Sequence, residues 1–399
     1  MNKKDTVCVA PWNSIFVNDR SINICCNTLV PLTNDDGTHS TIKDLSGIKN
    51  NKYYTELKED LLAGKQHPAC DRCWKMEPES FRNNVYNKQS TETFDKIIEQ
   101  EPKHLPLEHM SISIGNTCNL NCRMCDPGSS SMIAKEWQRE HPLGRGKHYN
   151  NLIVSDSLQK NNNFLGDPKF LDYVKENYKH LKEVYIFGGE PFIIIEEHLS
   201  FLKLLVDLGV SKNIRISYST NGTNTNLRRF IDLWKSFKEI SFSISIDGIE
   251  GVYDYIRWPN VWEKAEKSIN FFHNLTQENE NFSMSVACTV QLLNITHMEN
   301  FVNYIDTKYT KNYLFFIPVG YPEEFSLKGV PLSVLQEVYE KDLHNQLNSI
   351  IKPFIDEYDE LNSKEHFDKF LKVATWQDEY REQSLYDFYP EIKSWHIGV

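Results

Sequence analysis

Six strand-like runs separated by helical periodicities predict an α/β fold organised as a partial (β/α)6 barrel. Three observations carry that expectation. The six runs lie between residues 105 and 325, with helix-length segments between them. Alternation of this kind specifies parallel βαβ units, because a parallel crossover needs a helix-length connection. The other two observations concern the flanks. The first third of the chain holds eight of the nine cysteines, and the stretch from residue 326 onward reads as helical. The expected order is therefore a small cysteine-rich segment at 1–84, a TIM-like partial barrel at 105–325 and a helical extension at 326–399.

The runs justify themselves in chain order. "MSISIG" from Met110 leads into a cysteine loop, and "VYIFGGEP" from Val184 ends in a glycine pair. "IRISYSTNG" from Ile214, "ISFSISIDG" from Ile240, "MSVACTV" from Met284 and "YLFFIP" from Tyr313 follow. Phe170 and Val174 belong to the first intervening helix. Leu199, Leu202, Leu205 and Val206 mark the second. Leu227, Phe230, Ile231 and Trp234 keep the i, i+3, i+4, i+7 spacing of a buried helix face, as do Trp262, Ala265, Ile269 and Phe272, then Met298, Phe301, Val302 and Ile305. The working face of such a barrel is the carboxyl end of its strands. The polar loop from His141 to Gly166 is long enough to be functional. Before residue 84, Pro11, Pro31, Asn34 to Gly37 and Pro68 punctuate a segment with few periodic elements. A short helix is expected at Thr91 to Gln100.

A formal net charge of −11 argues against a general binder of nucleic-acid phosphates. No apolar run approaches the length of a membrane helix, and "MNKKDTVCVAPWNSIF" lacks the apolar core of a secretory signal. A cytoplasmic location is expected. In a reducing compartment, clustered cysteines hold metal or do redox chemistry more often than they form disulfides.

"CNLNCRMC" places Cys118, Cys122 and Cys125 in a C-x3-C-x2-C pattern. Thiolates are soft ligands for iron–sulfur clusters and zinc. Structural zinc wants four ligands, whereas three cysteines leave one iron of a four-iron cluster open to a small molecule. The loop directly after a first strand resembles that of the radical S-adenosylmethionine superfamily. The resemblance implies a [4Fe–4S] cluster whose open iron chelates S-adenosylmethionine. It also implies a 5′-deoxyadenosyl radical, hydrogen abstraction from substrate, and an electron donor such as flavodoxin or ferredoxin. "GGEP" at Gly188, Gly189, Glu190 and Pro191 is similar to the family's methionine-binding turn, and glycines there let backbone approach a ligand. "STNG", with Ser219 and Asn221, and "SID", with Ser245, resemble the third and fourth strand endings, whose hydroxyls reach the cofactor. "YDYIR" resembles an H-D-x-x-R segment of peptide-modifying members. Tyr253 stands in place of the histidine, so only Arg257 is carried over, as a partner for a carboxylate. Gln291 and Asn294 are weaker candidates for the adenosine end.

The remaining cysteines form a second group: "CVAPW" at Cys8, "INICC" at Cys25 and Cys26, and "CDRCW" at Cys70 and Cys73. Four sulfurs from this group suit either zinc or a four-iron cluster. The pattern resembles the auxiliary-cluster module called SPASM, or its shorter twitch form with one extra [4Fe–4S] cluster. Read against that hairpin, "NDRSINIC" makes Cys25 the ligand and Cys26 its neighbour or an alternative ligand. The family module usually follows the core, and here it precedes it.

Cys288, inside an apolar strand, is expected in the core, with hydrogen-atom donation to a substrate radical as the alternative. Trp376, Tyr380 and Tyr389 are expected to pack. The resulting expectation is a radical enzyme acting on a peptide or small molecule. The rivals are an iron–sulfur electron carrier or scaffold and a zinc-dependent hydrolase.

Overall fold

The computed structural model describes residues 2–28, 30–75, 82–88, 90–139, 141–144, 164–310 and 313–396. It is an α/β fold whose strands form a mostly parallel sheet in the order β2-β1-β3-β4-β5-β6-β7-β8. The six expected strands are β3 (His109–Ser113), β4 (Glu183–Phe187), β5 (Arg215–Thr220), β6 (Glu239–Ser245), β7 (Phe282–Val290) and β8 (Leu314–Pro318). Each alternates. Val184 and Ile186, or Ile240, Phe242 and Ile244, are buried, while Ser217, Ser219, Ser243 and Ser245 on the opposite faces are half-buried. Period-two alternation makes one face apolar and leaves small hydroxyls on the other. Most of the His141–Gly166 loop lies outside the described residues. Among those residues no helix is long and apolar enough to cross a membrane.

Two strands go beyond the six expected. β1 (Ser14–Val17) and β2 (Ile22–Asn23) form an antiparallel hairpin, and β1 runs parallel to β3 with Ser14 opposite His109 and Val17 opposite Ile112. Runs of four and two residues are too short for periodicity to reveal.

The chain forms two compact units. The first comprises Met1–Gly115, Lys160–Tyr218 and Arg228–Ile240. Its strands β1, β3 and β4 pair in parallel register, and its helices include Lys52–Leu62, Thr91–Gln100, Pro168–Asn177 and Glu196–Asp207. One aromatic cluster fixes its interior. His198 Nδ1 lies 3.3 Å from the Pro191 carbonyl, its Nε2 lies 3.1 Å from the Tyr218 hydroxyl, and Trp234 Nε1 donates to that hydroxyl at 3.0 Å. A carbonyl can only accept, so the imidazole carries its proton on Nδ1 and the tyrosine donates to Nε2. Phe192 and Phe230 pack on these rings. The network thus holds Pro191, the last residue of the "GGEP" turn.

The second unit comprises Asn116–Gln159, Ser219–Leu227 and Ser241–Val399. Strands β7 and β8 pair from Val286 opposite Leu314 to Val290 opposite Pro318. Helices Glu250–Ile256, Trp262–Glu278 and Met298–Lys308 are followed by Leu332–Glu340, Asn345–Asp356 and Glu360–Arg381. The last of these buries Phe367, Phe370, Val373 and Ala374, and also Gln377, Asp378 and Arg381 near its end.

Burial pulls the His198 imidazole down to about 4 from its ordinary 6.5. The unfolded chain therefore takes up a proton that the folded chain refuses as pH falls through that window, and stability declines there. Denaturant midpoints measured from pH 7 to pH 4 should fall more steeply for the wild type than for His198→Gln. Equal slopes would remove His198 as a source of acid sensitivity.

Candidate functional site

The three-cysteine loop of the second unit begins just beyond β3 and is held by its own backbone and side chains. Ser131 N donates to Asn116 O at 2.6 Å, Asn116 Nδ2 to Pro127 O at 2.8 Å, and Ser130 Oγ to Leu120 O at 2.8 Å. Ser130 also caps the helix Ser131–Trp137 by accepting from Ile133 N. The cap and the loop are therefore one structure.

Two of the three sulfurs have polar neighbours from other segments. Asn221 Nδ2 lies 3.7 Å from Cys118 Sγ and 3.0 Å from Asn119 Oδ1, while Asn119 Nδ2 donates to Thr223 Oγ1 at 2.9 Å. The "STNG" turn and the cysteine loop are thereby interlocked. Arg257 Nη1 lies 3.9 Å from Cys122 Sγ. Burial pushes the Cys122 thiol up to about 12, against the pull of Arg257. Burial, then Asp126 and the other two sulfurs, push Cys125 well up. Thiols so placed keep their protons unless a cation compensates the thiolates, which is what a bound metal does. This donor set of three soft, mutually coupled sulfurs fits an iron–sulfur cluster. Among the described residues, no three His, Cys, Asp or Glu side chains converge as they would around one metal ion. A cluster that gives each cysteine its own iron asks for separated sulfurs instead.

Arg257 pairs with a carboxylate of the protein itself. Its Nε lies 2.8 Å from Asp247 Oδ2, both side chains being buried. Asp247 Oδ1 also accepts from Thr289 N at 2.7 Å. Asn294 Nδ2 donates to Asp247 O and Thr289 O, and lies 3.6 Å from Cys288 Sγ. Gln291 Nε2 bonds Thr289 O at 3.3 Å. Asn294 and Gln291 thus spend amide groups on the backbone, and Cys288 is fully buried.

Arg123, between the second and third cysteines, was not singled out from sequence. It is fully buried, with its guanidinium 3.4 Å from the Tyr255 ring centre. Its Nε donates to Tyr255 O at 2.9 Å, and its Nη2 to Asp378 Oδ1 at 2.5 Å and Gln383 Oε1 at 3.0 Å. Gln377 Nε2 returns a bond to Arg123 O at 3.1 Å. Arg381 reaches Glu136 at 2.8 Å, both fully hidden from solvent at the side chain. Asn121 N and Arg123 N donate to Trp258 O and Ile256 O. The end of the helix Glu360–Arg381 and the "YDYIR" segment therefore clamp the loop from two sides. Tyr389 packs against Tyr255, and Trp376 against His141.

In the first unit, the "GGEP" turn lies against the end of β3. Gly188 has φ of +125°, and a Cβ there would stand 2.7 Å from Gly115 O and 3.0 Å from Ile114 N, so only glycine fits. Gly189 N donates to Gly115 O at 2.7 Å. Glu190 is fully buried and its Oε1 accepts from Phe192 N at 3.1 Å, capping the turn Pro191–Ile193. In the second unit, Ser219 and Ser245 are half-buried on β5 and β6.

The first unit also gathers the other cysteine group. Cys8, Cys25, Cys70 and Cys73 line one cavity together with Asn27 and Arg82. The "CDRC" spacing places its two cysteines one helical turn apart, Cys70 ending the turn Pro68–Cys70 and Cys73 within the helix Asp71–Lys75. His67 Nδ1 accepts from Ala69 N at 3.1 Å and so caps that turn. Burial, with repulsion from neighbouring sulfurs, pushes Cys25 and Cys70 up to about 12. Cys26 is not among the lining residues.

Residues 112–305 match the family model described as the Radical SAM superfamily. That span holds the three-cysteine loop, the "GGEP" turn and Arg257. The match is a likeness of this segment to that superfamily. No curated protein matches the sequence. Among solved structures, the chain is similar to anSMEcpe with bound AdoMet, at 18% identity over 61% of this chain and 60% of that one, with a TM-score of 0.41. It is also similar to Streptococcus suis SuiB bound to S-adenosylmethionine, at 14% identity over 70% and 64%, with a TM-score of 0.29. TYW1 with a lysine-pyruvate adduct shares 13% identity over 59% and 70%, with a TM-score of 0.29. The chain spans less than two thirds of the length of anSMEcpe.

Burial pulls Arg123 down to about 10, so it stays charged at neutral pH and depends on Asp378. Removing one partner of a buried pair strands the other charge. Asp378→Ala is expected to lower unfolding free energy by about 3–5 kcal/mol, measured by chemical denaturation. Asp378→Asn, which keeps the acceptor, should lose less. A loss below about 1 kcal/mol for Asp378→Ala, the worth of an exposed pair, would contradict the clamp.

Proposed function

We propose that the chain is a radical S-adenosylmethionine enzyme that abstracts hydrogen from a peptide or small-molecule substrate. The observation that carries this reading is the loop of three neighbouring thiols at Cys118, Cys122 and Cys125, the middle one buried and the others half-buried, inside the segment that matches the superfamily. When bound, the cluster and S-adenosylmethionine supply one-electron cleavage of a sulfonium and attack on an unreactive C–H bond.

The chain's own residues do the rest. The three cysteines hold the cluster, and Asn221 beside Cys118 presents an N–H to its sulfur. Arg257 sets a positive charge beside Cys122, and Asp247 fixes its orientation. Gly188 and Gly189 bring backbone to the cofactor's amino-acid end, and Glu190 holds that turn in shape. Ser219 and Ser245 offer hydroxyls to the ribose or carboxylate. Cys8, Cys25, Cys70 and Cys73 hold an auxiliary [4Fe–4S] cluster in a twitch-like arrangement, and their shared cavity supports this set over one that uses Cys26. The reading places the protein in the cytoplasm, with a flavodoxin or ferredoxin as its electron source.

The test is anaerobic reconstitution with iron and sulfide, followed by dithionite and S-adenosylmethionine. About eight irons per chain, from two four-iron clusters, and release of 5′-deoxyadenosine are expected. Replacing Cys118, Cys122 and Cys125 together by Ala should abolish that release. Replacing Cys8 and Cys73 should leave about four irons and some cleavage. Full cleavage by the triple variant, or bound zinc without iron, would refute the reading.

A further inference from the structure

The cavity of Cys8, Cys25, Cys70 and Cys73 is lined by three polar side chains that no motif announces, Arg82, Asn27 and Thr28, and the Thr28 hydroxyl donates to Cys25 O at 2.6 Å. Arg82 is 6% exposed and lines the cavity. Its Nη1 donates to Val7 O at 3.2 Å, and its guanidinium lies 4.9 Å from the Trp74 ring centre. Trp74 is itself tied down by its Nε1 bond to His67 O at 3.0 Å. Both contacts help to fix the cation in place. Asn27 Nδ2 lies 3.1 Å from Cys73 Sγ, within hydrogen-bond reach of the sulfur. Ala10, Pro11 and Ile24 complete the apolar part of the wall.

We propose that Arg82 and Asn27 poise this site for electron uptake, raising the reduction potential of the cluster it holds. The inference rests on the reading that these four cysteines bind a [4Fe–4S] cluster. Four thiolates on such a cluster leave it anionic, and reduction adds one more negative charge with no change of ligands. A fixed cation and an N–H donor to sulfur stabilise the more negative state by more than the less negative one. Low-polarity walls strengthen both effects.

The experiment is a redox titration of the full chain carrying Cys118→Ala, Cys122→Ala and Cys125→Ala, so that only the auxiliary site is loaded. Reduced cluster is read by electron paramagnetic resonance as dithionite supplies one electron, and iron is counted in each sample. Arg82→Gln should lower the reduced-to-oxidised ratio at a fixed solution potential about tenfold, equal to about 59 mV for one electron. Arg82→Lys, which keeps the charge, should recover more than half of that change. Asn27→Leu should shift the ratio in the same direction, and it provides the test if Arg82→Gln binds no iron. Variants that bind about four irons with an unaltered ratio would overturn the inference. So would Arg82→Lys falling as far as Arg82→Gln. Absence of iron from the chain with Arg82 and Asn27 intact would instead sink the cluster reading on which the inference stands.

Discussion

A buried thiol cannot ionise without positive charge beside it, and the polar interior of the second unit answers that constraint. Cys122 and Cys125 lie where burial and neighbouring sulfurs drive their protons on rather than off. Only a cation reverses the balance. Arg257 supplies a fixed share of it at 3.9 Å from Cys122, and a metal cluster would supply the remainder. Arg257 would itself be costly to bury alone, so Asp247 accompanies it, and the Thr289 amide in turn accompanies Asp247. Each group inside is explained by the one before it, beginning from the sulfurs.

The same reasoning applies to the frame around the loop. Arg123 has no route to solvent and meets its donors' needs with one backbone carbonyl, a carboxylate and two glutamine oxygens. A loop of this kind gains a unique geometry from a saturated polar network, since any half-made version leaves a charge or an amide unpaired. The aliphatic part of the helix Glu360–Arg381 anchors it, and its polar end does the aligning.

Much of this was legible in the sequence, for physical reasons that differ by element. The six strands declare themselves as short apolar or alternating runs between helical segments, alternating in "ISFSISIDG" and continuously apolar in "YLFFIP". Gly188 is legible because a turn that lets backbone touch backbone requires glycine. Arg257 is legible from "YDYIR" as a candidate for binding a carboxylate, whereas its ion pair with Asp247, ten residues earlier in "SID", is not. What could not be read depends on long-range contact. Arg123 and Gln377 are 254 positions apart, and neither belongs to a periodic pattern that signals a buried ion pair. β1 joins β3 across more than ninety residues that include the helices Lys52–Leu62 and Thr91–Gln100, and four residues carry too little pattern to reveal it. Arg82 and Asn27 lie outside any cysteine spacing, so only the folded cavity assembles them with the sulfurs.

The central claim is that the sulfurs of Cys118, Cys122 and Cys125 carry a cluster with one corner left for a sulfonium cofactor. Electron paramagnetic resonance of oxygen-free, dithionite-reduced protein bearing Cys8→Ala and Cys73→Ala tests it most directly, because the auxiliary signal is then removed. A reduced cubane spectrum that changes shape on addition of S-adenosylmethionine is the predicted result. A spectrum indifferent to that cofactor, or no cubane signal at all, would contradict the account.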